Sequence, residues 1–320
     1  MPGVRSRASL IGVAISAVCL AALLWWARRQ PAPDLPSSRG QLLALAGAVA
    51  IYALNTILRG ERWRRLLEHD GARPSLADAH ALNVIGYTGN NVLPARAGDA
   101  VRVVLMAPRA AANRRTVLGT LVAERILDVA VVVLLFVVVG YGVLGEVSGG
   151  DLEVVGAVTA AAAVGAAIAF LLLRRTPRVQ ALLRPVLSST LGLRGAHGAA
   201  MLALTLVIWA VETTVWMTVG ATVGLDMSYL EGLYLVALAS VFSLIPSGPA
   251  YAGTQDSAAV IGIKAIGGSD ELALSYLLVL RFVLVVPITT AGFLLLAARY
   301  GGVSRLRRAR SEARAADPVA

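Results

Sequence analysis

Residues 90–102 read Asn-Asn-Val-Leu-Pro-Ala-Arg-Ala-Gly-Asp-Ala-Val-Arg and interrupt an otherwise apolar part of the chain. The stretch is too polar to cross a bilayer as a regular helix, and Pro94 and Gly98 break regular backbone. Irregular backbone at membrane depth is tolerated only where it is buried in protein or lines a water-filled cavity. The stretch therefore predicts a broken membrane element that lines a pathway.

Residues 243–256 form a second interruption of the same kind, reading Ser-Leu-Ile-Pro-Ser-Gly-Pro-Ala-Tyr-Ala-Gly-Thr-Gln-Asp. Both stretches contain an aliphatic residue before a proline, followed by glycine and an acid. Two interrupted apolar segments in corresponding halves of a chain indicate the binding site of a transporter. The pair suggests an internal repeat, and we expect its two members to face each other across a wet slot.

The composition places the chain among membrane proteins, since 57% of its residues are hydrophobic and only 15% are charged. The net charge of +10 would suggest nucleic-acid binding in a soluble protein. Here the arginines cluster at the ends of apolar runs, where they set topology and contact anionic lipid, so nucleic acid is excluded as a partner. The predicted fold class is an all-α polytopic membrane protein of about eight membrane segments, two of them broken.

The sequence predicts neither a metal nor a cofactor. Cys19 is the only cysteine, and the three histidines lack the spacing of metal ligands, so we interpret all three as surface residues. The chain contains neither a phosphate-binding Gly-x-x-x-x-Gly-Lys motif nor a His-Glu-x-x-His zinc motif. ATP-driven transport by this chain alone and zinc hydrolysis are therefore not indicated.

Apolar runs and arginine-rich segments together predict the topology. Membrane segments are expected at residues 9–26, 41–58, 76–107 (broken), 116–144, 152–173, 199–224, 229–245 paired with 255–266, and 271–298. The arginine-rich regions 59–73, 174–194 and 299–314 should face the cytoplasm, which places both termini inside. Residues 1–40 are predicted as an anchor span and loop, 41–300 as the main membrane domain, and 301–320 as a basic, disordered tail.

Glu124, Arg125 and Asp128 open the third unbroken span, which is expected at residues 116–144. Glu124 and Asp128 share a helix face and need a cation, which Arg125 can supply to Asp128 at a spacing of three. Two carboxylates this close to the membrane are costly without a function. The alternative is a polar helix end at the cytoplasmic interface.

Glu212 and Arg281 each interrupt an apolar span. At about 1.5 Å per residue they lie at similar depths below the outer ends of their helices. The sequence therefore predicts that they pair, either as a structural ion pair between helices or as part of a proton relay.

Arg96, Asp99 and Arg102 lie within the first broken element. The planar fork of arginine suits a phosphate group, so two arginines beside irregular backbone can hold a lipid phosphate. The alternative is that they are ordinary positive-inside loop charges.

These motifs together resemble a known family. The run from Asn90 to Arg102, then Glu124-Arg-Ile-Leu-Asp128, then Ile245-Pro246 with Gly253-Thr-Gln-Asp256, is similar to the flippase-type membrane domain of bacterial lysylphosphatidylglycerol synthases and their stand-alone relatives. The resemblance implies a multi-pass protein of the bacterial inner membrane that moves a lipid headgroup between leaflets. Two departures are that the family usually carries Glu where Asp99 and Asp256 stand, and paired glycines after the proline of the second motif.

Our leading hypothesis is a translocator of an anionic phospholipid or a polyprenyl-phosphate lipid. The predicted substrate-binding residues are Asn90, Asn91, Pro94, Arg96, Gly98, Asp99, Arg102, Pro246, Gly248, Gly253 and Asp256, and the predicted intramembrane charge network is Glu124, Arg125, Asp128, Glu212 and Arg281. No catalytic residue is predicted, because no soluble aminoacyl-transferase domain is expected. The alternatives are an intramembrane lipid-modifying enzyme and a non-catalytic membrane partner of a glycosyltransferase or lipid synthase.

Overall fold

The computed structural model describes residues 14, 17–93, 96–142, 188–243 and 248–301 of the chain. All regular elements within these ranges are helical, which confirms the predicted all-α class. The helices are α1 Ala17–Ala27, α2 Arg39–His69, α3 Leu76–Val92, α4 Ala97–Arg109, α5 Arg114–Gly142, α6 Gly195–Thr222, α7 Tyr229–Phe242, α8 Thr254–Ala265 and α9 Asp270–Tyr300. A short three-ten turn, Pro249–Tyr251, precedes α8.

Among the described helices, α2, α6 and α9 are long and apolar enough to cross a membrane, and α1 and α7 are shorter apolar helices. This agrees with the polytopic membrane class that the composition predicts. The predicted span at residues 152–173 and the basic tail beyond residue 301 lie outside the described residues. The domain boundaries and the orientation of the termini remain predictions.

Serine side chains begin four of the helices. The hydroxyl oxygen of the residue before the helix accepts a hydrogen bond from the backbone N–H three positions on, which satisfies a donor that the helix itself cannot. The pairs are Ser38 with Gln41, Ser75 with Asp78, Ser228 with Glu231 and Ser269 with Leu272. These caps fix where α2, α3, α7 and α9 start.

Helix α2 is longer than the sequence predicts. The arginine-rich region that follows Leu58, expected as a cytoplasmic loop, continues as helix to His69. The physical reason is that Arg62 is 1% exposed and pairs with Asp128 of α5, so this part of α2 is held inside the protein. The histidine prediction also needs correction: His69 is exposed, but His80 and His197 are half-buried.

The described helices pack around two large apolar cores and a small third cluster, which contains Leu66, Ala123, Leu127 and Met201. One large core lies between α2, α5, α6, α7, α8 and α9 and contains Val219, Leu235 and Val283. The other contains Trp63 of α2 and Leu82 of α3 and lies where α3 turns back on α4. Helix α2 packs along α6, and α3 packs against both α4 and α9. This arrangement brings the two breaks in the chain, after α3 and after α7, to the same region.

Candidate functional site

The first break separates α3 from α4 at Arg96. Arg96 has left-handed backbone, with φ 52° and ψ 38°, and α4 begins after it without a side-chain cap. Helix α4 then folds back closely on α3. A Cβ at Gly98 would overlap the carbonyl oxygen of Gly86 and would lie 2.6 Å from the amide nitrogen of Asn90. Glycine at position 98 is therefore required by the close approach of the two helices. Pro94 lies outside the described residues.

The second break, between α7 and α8, is held by Arg281 of α9. The Arg281 guanidinium donates to the carbonyl oxygen of Ala250 at 2.7 Å and contacts the carboxylate of Asp256. Asp256 in turn accepts a hydrogen bond from the backbone N–H of Gly253 at 2.8 Å and so caps α8. Gly248 is buried near the start of this segment, and Pro246 lies outside the described residues.

Left-handed backbone is concentrated at these two breaks. Arg96, Ala250 and Tyr251 all have φ between 52° and 54°, a conformation that costs a non-glycine residue about 1–2 kcal/mol. The guanidinium of Arg96 lies over the ring of Tyr251, 4.8 Å from its centroid, so the two breaks touch. Backbone strain that the surrounding structure maintains is a feature of functional sites.

The breaks border a central cavity of about 360 Å³. Its wall also includes Tyr52 of α2, Glu212 of α6 and Leu284 of α9, each near the middle of a helix that is long enough to span a membrane. The charged residues of the wall are Arg59, Arg96, Arg125, Arg281, Asp128, Glu212 and Asp256. A wall with both charged and apolar side chains at this depth suits an amphiphilic molecule rather than a simple ion.

Beside the central cavity, six charged residues form a closed ring of alternating sign that we call the charge ring. The six ion-pair distances are Arg62–Asp128 2.7 Å, Asp128–Arg125 3.9 Å, Arg125–Asp99 3.6 Å, Asp99–Arg102 3.8 Å, Arg102–Glu124 2.9 Å and Glu124–Arg62 3.7 Å. The ring joins α2, α4 and α5. The expected contact between Arg125 and Asp128 is confirmed, although Arg62 is the closer cation for Asp128.

The predicted pairing of Glu212 with Arg281 is wrong. Glu212 pairs with Arg59 of α2 at 3.3 Å and also accepts from the side-chain amide of Asn55. Arg281 instead engages Asp256 and the backbone of the second break. Both residues line the central cavity, but the partner of Glu212 lies on α2 and the side-chain partner of Arg281 lies on α8.

Arg102 does not line the central cavity, in contrast to its predicted role. Its guanidinium is buried over the ring of Trp63 at 3.9 Å and pairs with Glu124, because the tight turn at Gly98 directs this face of α4 toward α2 and α5. Of the other predicted residues that the structure describes, those that line the cavity are Asn90, Asn91, Arg96, Asp256, Arg125, Asp128, Glu212 and Arg281, while Gly98, Asp99, Glu124, Gly248 and Gly253 do not line it.

Sequence reasoning missed several residues of the wall. They include the aromatic residues Tyr52, Tyr87, Trp209, Trp216 and Tyr251, the cation Arg59, and a larger set of aliphatic and small polar residues. A usable signal was present in α2, where Asn55, Arg59 and Arg62 recur at intervals of four and three and so share one helix face. No comparable periodic signal distinguishes the aromatic residues from ordinary core residues.

Comparisons with known proteins agree with this architecture. Residues 9–292 match the family described as the lysylphosphatidylglycerol synthase TM region. The glycosyltransferase AglD of Haloferax volcanii is 32% identical over 124 residues, which is 39% of this chain and 19% of that protein. No solved structure matches the chain. Because the family match covers most of the sequence, the chain belongs to the lysylphosphatidylglycerol synthase TM region family.

Proposed function

We propose that the protein is a membrane translocator that moves an anionic lipid, or a lipid-linked phosphate headgroup, between the two leaflets. The observation that carries the proposal is the position of the central cavity: two broken elements meet there at the mid-length of spanning helices. Discontinuous helices whose ends face a midplane cavity are a feature of transporters.

The charges of the cavity favour an anionic group. Four arginines (Arg59, Arg96, Arg125 and Arg281) and three carboxylates (Asp128, Glu212 and Asp256) reach its described wall, which leaves an excess of one positive charge. The guanidinium fork matches a phosphate bidentately. Helix α4 also starts at Arg96 without a side-chain cap, so its N-terminal dipole adds to the positive potential at this point.

One member of the charge ring, Arg125, is held weakly enough to move during a transport cycle. Arg125 is 35% exposed on its side chain and makes only long ion pairs, at 3.6 Å to Asp99 and 3.9 Å to Asp128. Arg62 and Arg102, by contrast, are buried and make short ones. Arg125 is therefore the ring member that can turn toward a phosphate without unfolding its surroundings.

The contacts do not favour the lipid-modifying enzyme. Each carboxylate in the described wall of the cavity is paired: Glu212 with Arg59, Asp256 with Arg281 and Asp128 with Arg62. A general acid or base must present a carboxyl oxygen to the substrate, and arginine contacts a carboxyl oxygen of each of these three groups.

A second candidate function is supported by the match to part of the glycosyltransferase AglD. In this alternative the protein is a membrane module that presents a lipid to a glycosyltransferase or synthase. Stable co-purification of such an enzyme with the tagged chain would favour it over independent transport.

Reconstitution of the purified full chain into vesicles tests the leading proposal. We expect a fluorescent phosphatidylglycerol in the inner leaflet to become accessible to an impermeant reductant faster than in protein-free vesicles. Arg125→Gln should slow this exchange at least about fivefold, whereas Arg65→Gln, at a half-exposed position of α2 remote from the cavity wall, should not. Exchange at the protein-free rate for every anionic lipid tried would overturn the proposal.

A further inference from the structure

The charges around the central cavity cancel almost completely. Arg59 is neutralised by Glu212 at 3.3 Å, and Arg281 is neutralised by its contact with Asp256. The charge ring contains three arginines and three carboxylates and is neutral as a unit. These groups therefore contribute no net charge to the cavity.

Arg96 is the exception. Among the described residues, no carboxylate forms an ion pair with Arg96, whose guanidinium lies over the ring of Tyr251 at 4.8 Å. The face of an aromatic ring attracts a cation but does not neutralise it. Within the part of the chain that the structure describes, the cavity therefore holds one uncompensated positive charge, located where the two breaks meet.

We infer that the cavity selects a headgroup with a single negative charge and no ammonium group, and that Arg96 determines this selectivity. The inference rests on the proposed function and specifies its substrate class as a phosphodiester lipid with a neutral polar substituent. Asn91 and Gln255 of the wall can hydrogen-bond such a substituent.

The arginine–carboxylate ion pairs of the cavity also disfavour headgroups that carry an ammonium group or two negative charges. An ammonium group, in a zwitterionic or an aminoacylated lipid, would need a carboxylate that is already bound to arginine. Breaking such a pair in a low-dielectric site costs electrostatic energy, and the freed arginine then repels the incoming ammonium group. Both effects oppose binding. A phosphomonoester with two negative charges would find one free cation among the described residues of the wall.

The left-handed backbone at Arg96 suggests which variants to use. Asn and Asp adopt this conformation more readily than other non-glycine residues, so Arg96→Asn removes the charge and Arg96→Asp reverses it without added backbone strain. Arg65→Asn, on the half-exposed surface of α2, removes the same charge away from the cavity and serves as the matched control.

The experiment is competition binding, measured by native mass spectrometry of the purified full chain. The chain is mixed with equal amounts of phosphatidylglycerol, phosphatidylcholine and lysyl-phosphatidylglycerol of identical acyl chains. We expect the wild type and Arg65→Asn to retain phosphatidylglycerol about tenfold better than either other lipid. Arg96→Asn should lose this preference, and Arg96→Asp should invert it toward lysyl-phosphatidylglycerol.

A second variant covers the case in which Arg96 variants fail to fold, as judged by circular dichroism. Glu212→Gln frees Arg59 and should raise the binding of doubly charged phosphatidic acid relative to phosphatidylglycerol. Equal binding of all headgroups by the wild type, or an unchanged preference in Arg96→Asn or Glu212→Gln, would overturn the inference. Because binding is measured without transport, selective binding with no lipid exchange in vesicles would instead overturn the proposed function alone.

Discussion

The charge ring makes a quantitative prediction at Arg62. Arg62 is 1% exposed. Its guanidinium donates to both carboxylate oxygens of Asp128, at 2.7 and 3.1 Å, and to the hydroxyl of Thr205 at 3.0 Å. Arg62→Met removes this cation and leaves Asp128 with only the distant Arg125, at 3.9 Å. Removing one partner of a buried ion pair costs about 3–5 kcal/mol, because the other charge stays buried without compensation.

A matched control lies two residues along the same helix. Arg64 pairs with Glu61 at 2.8 Å on the surface of α2, where ion pairs contribute about 0–1 kcal/mol. We therefore expect Arg62→Met to lower the free energy of unfolding, measured by denaturant titration in mixed micelles, by at least about 2 kcal/mol more than Arg64→Met.

A second substitution should rescue the stability of Arg62→Met. Asp128→Asn in the Arg62→Met background removes the stranded carboxylate and should recover at least about half of the lost stability, since most of the loss comes from the unpaired charge. If Arg62→Met were no more destabilising than Arg64→Met, or if Asp128→Asn made the variant worse, the charge ring would not stabilise the fold in this way.

Two further predictions concern packing where α3 meets its neighbours. Gly98→Ala should destabilise the protein by roughly 1–3 kcal/mol and slow lipid exchange, because the added methyl group meets the carbonyl of Gly86; Gly40→Ala, with open space around its Cα, should be neutral in the same thermal-denaturation assay. Gly292→Ala should destabilise similarly because its methyl group would overlap the hydroxyl of Thr88, and Thr88→Ala should relieve part of this, since the Cβ of residue 88 would still lie 2.8 Å away. Equal stability of Gly98→Ala and Gly40→Ala, or no relief in the double variant, would contradict the packing described for α3.

Much of the fold could be predicted because its signals are local. The Pro94 and Gly98 interruption, the apolar runs and the capping serines each act through neighbouring residues, and the structure places helix ends close to where these signals occur. The importance of Glu212 and Arg281 could also be predicted, because a charge within an apolar span is costly wherever its partner lies. This cost arises because the surrounding solvent is lipid, and the long apolar runs of the sequence indicate a lipid environment.

Which charged side chains pair with each other could not be predicted from the sequence and depends on how the helices pack. Depth along a helix can be estimated from residue number, but pairing also depends on helix rotation and on which helix lies alongside. Glu212 therefore meets Arg59 rather than Arg281, and Arg102 turns into the charge ring because Gly98 packs α4 tightly onto α3. The order of residues alone was enough to predict a helical membrane protein with two broken, charged elements. That Arg96 has no carboxylate partner among the described residues depends on helix packing, because ion pairing between helices depends on contacts that no local pattern encodes.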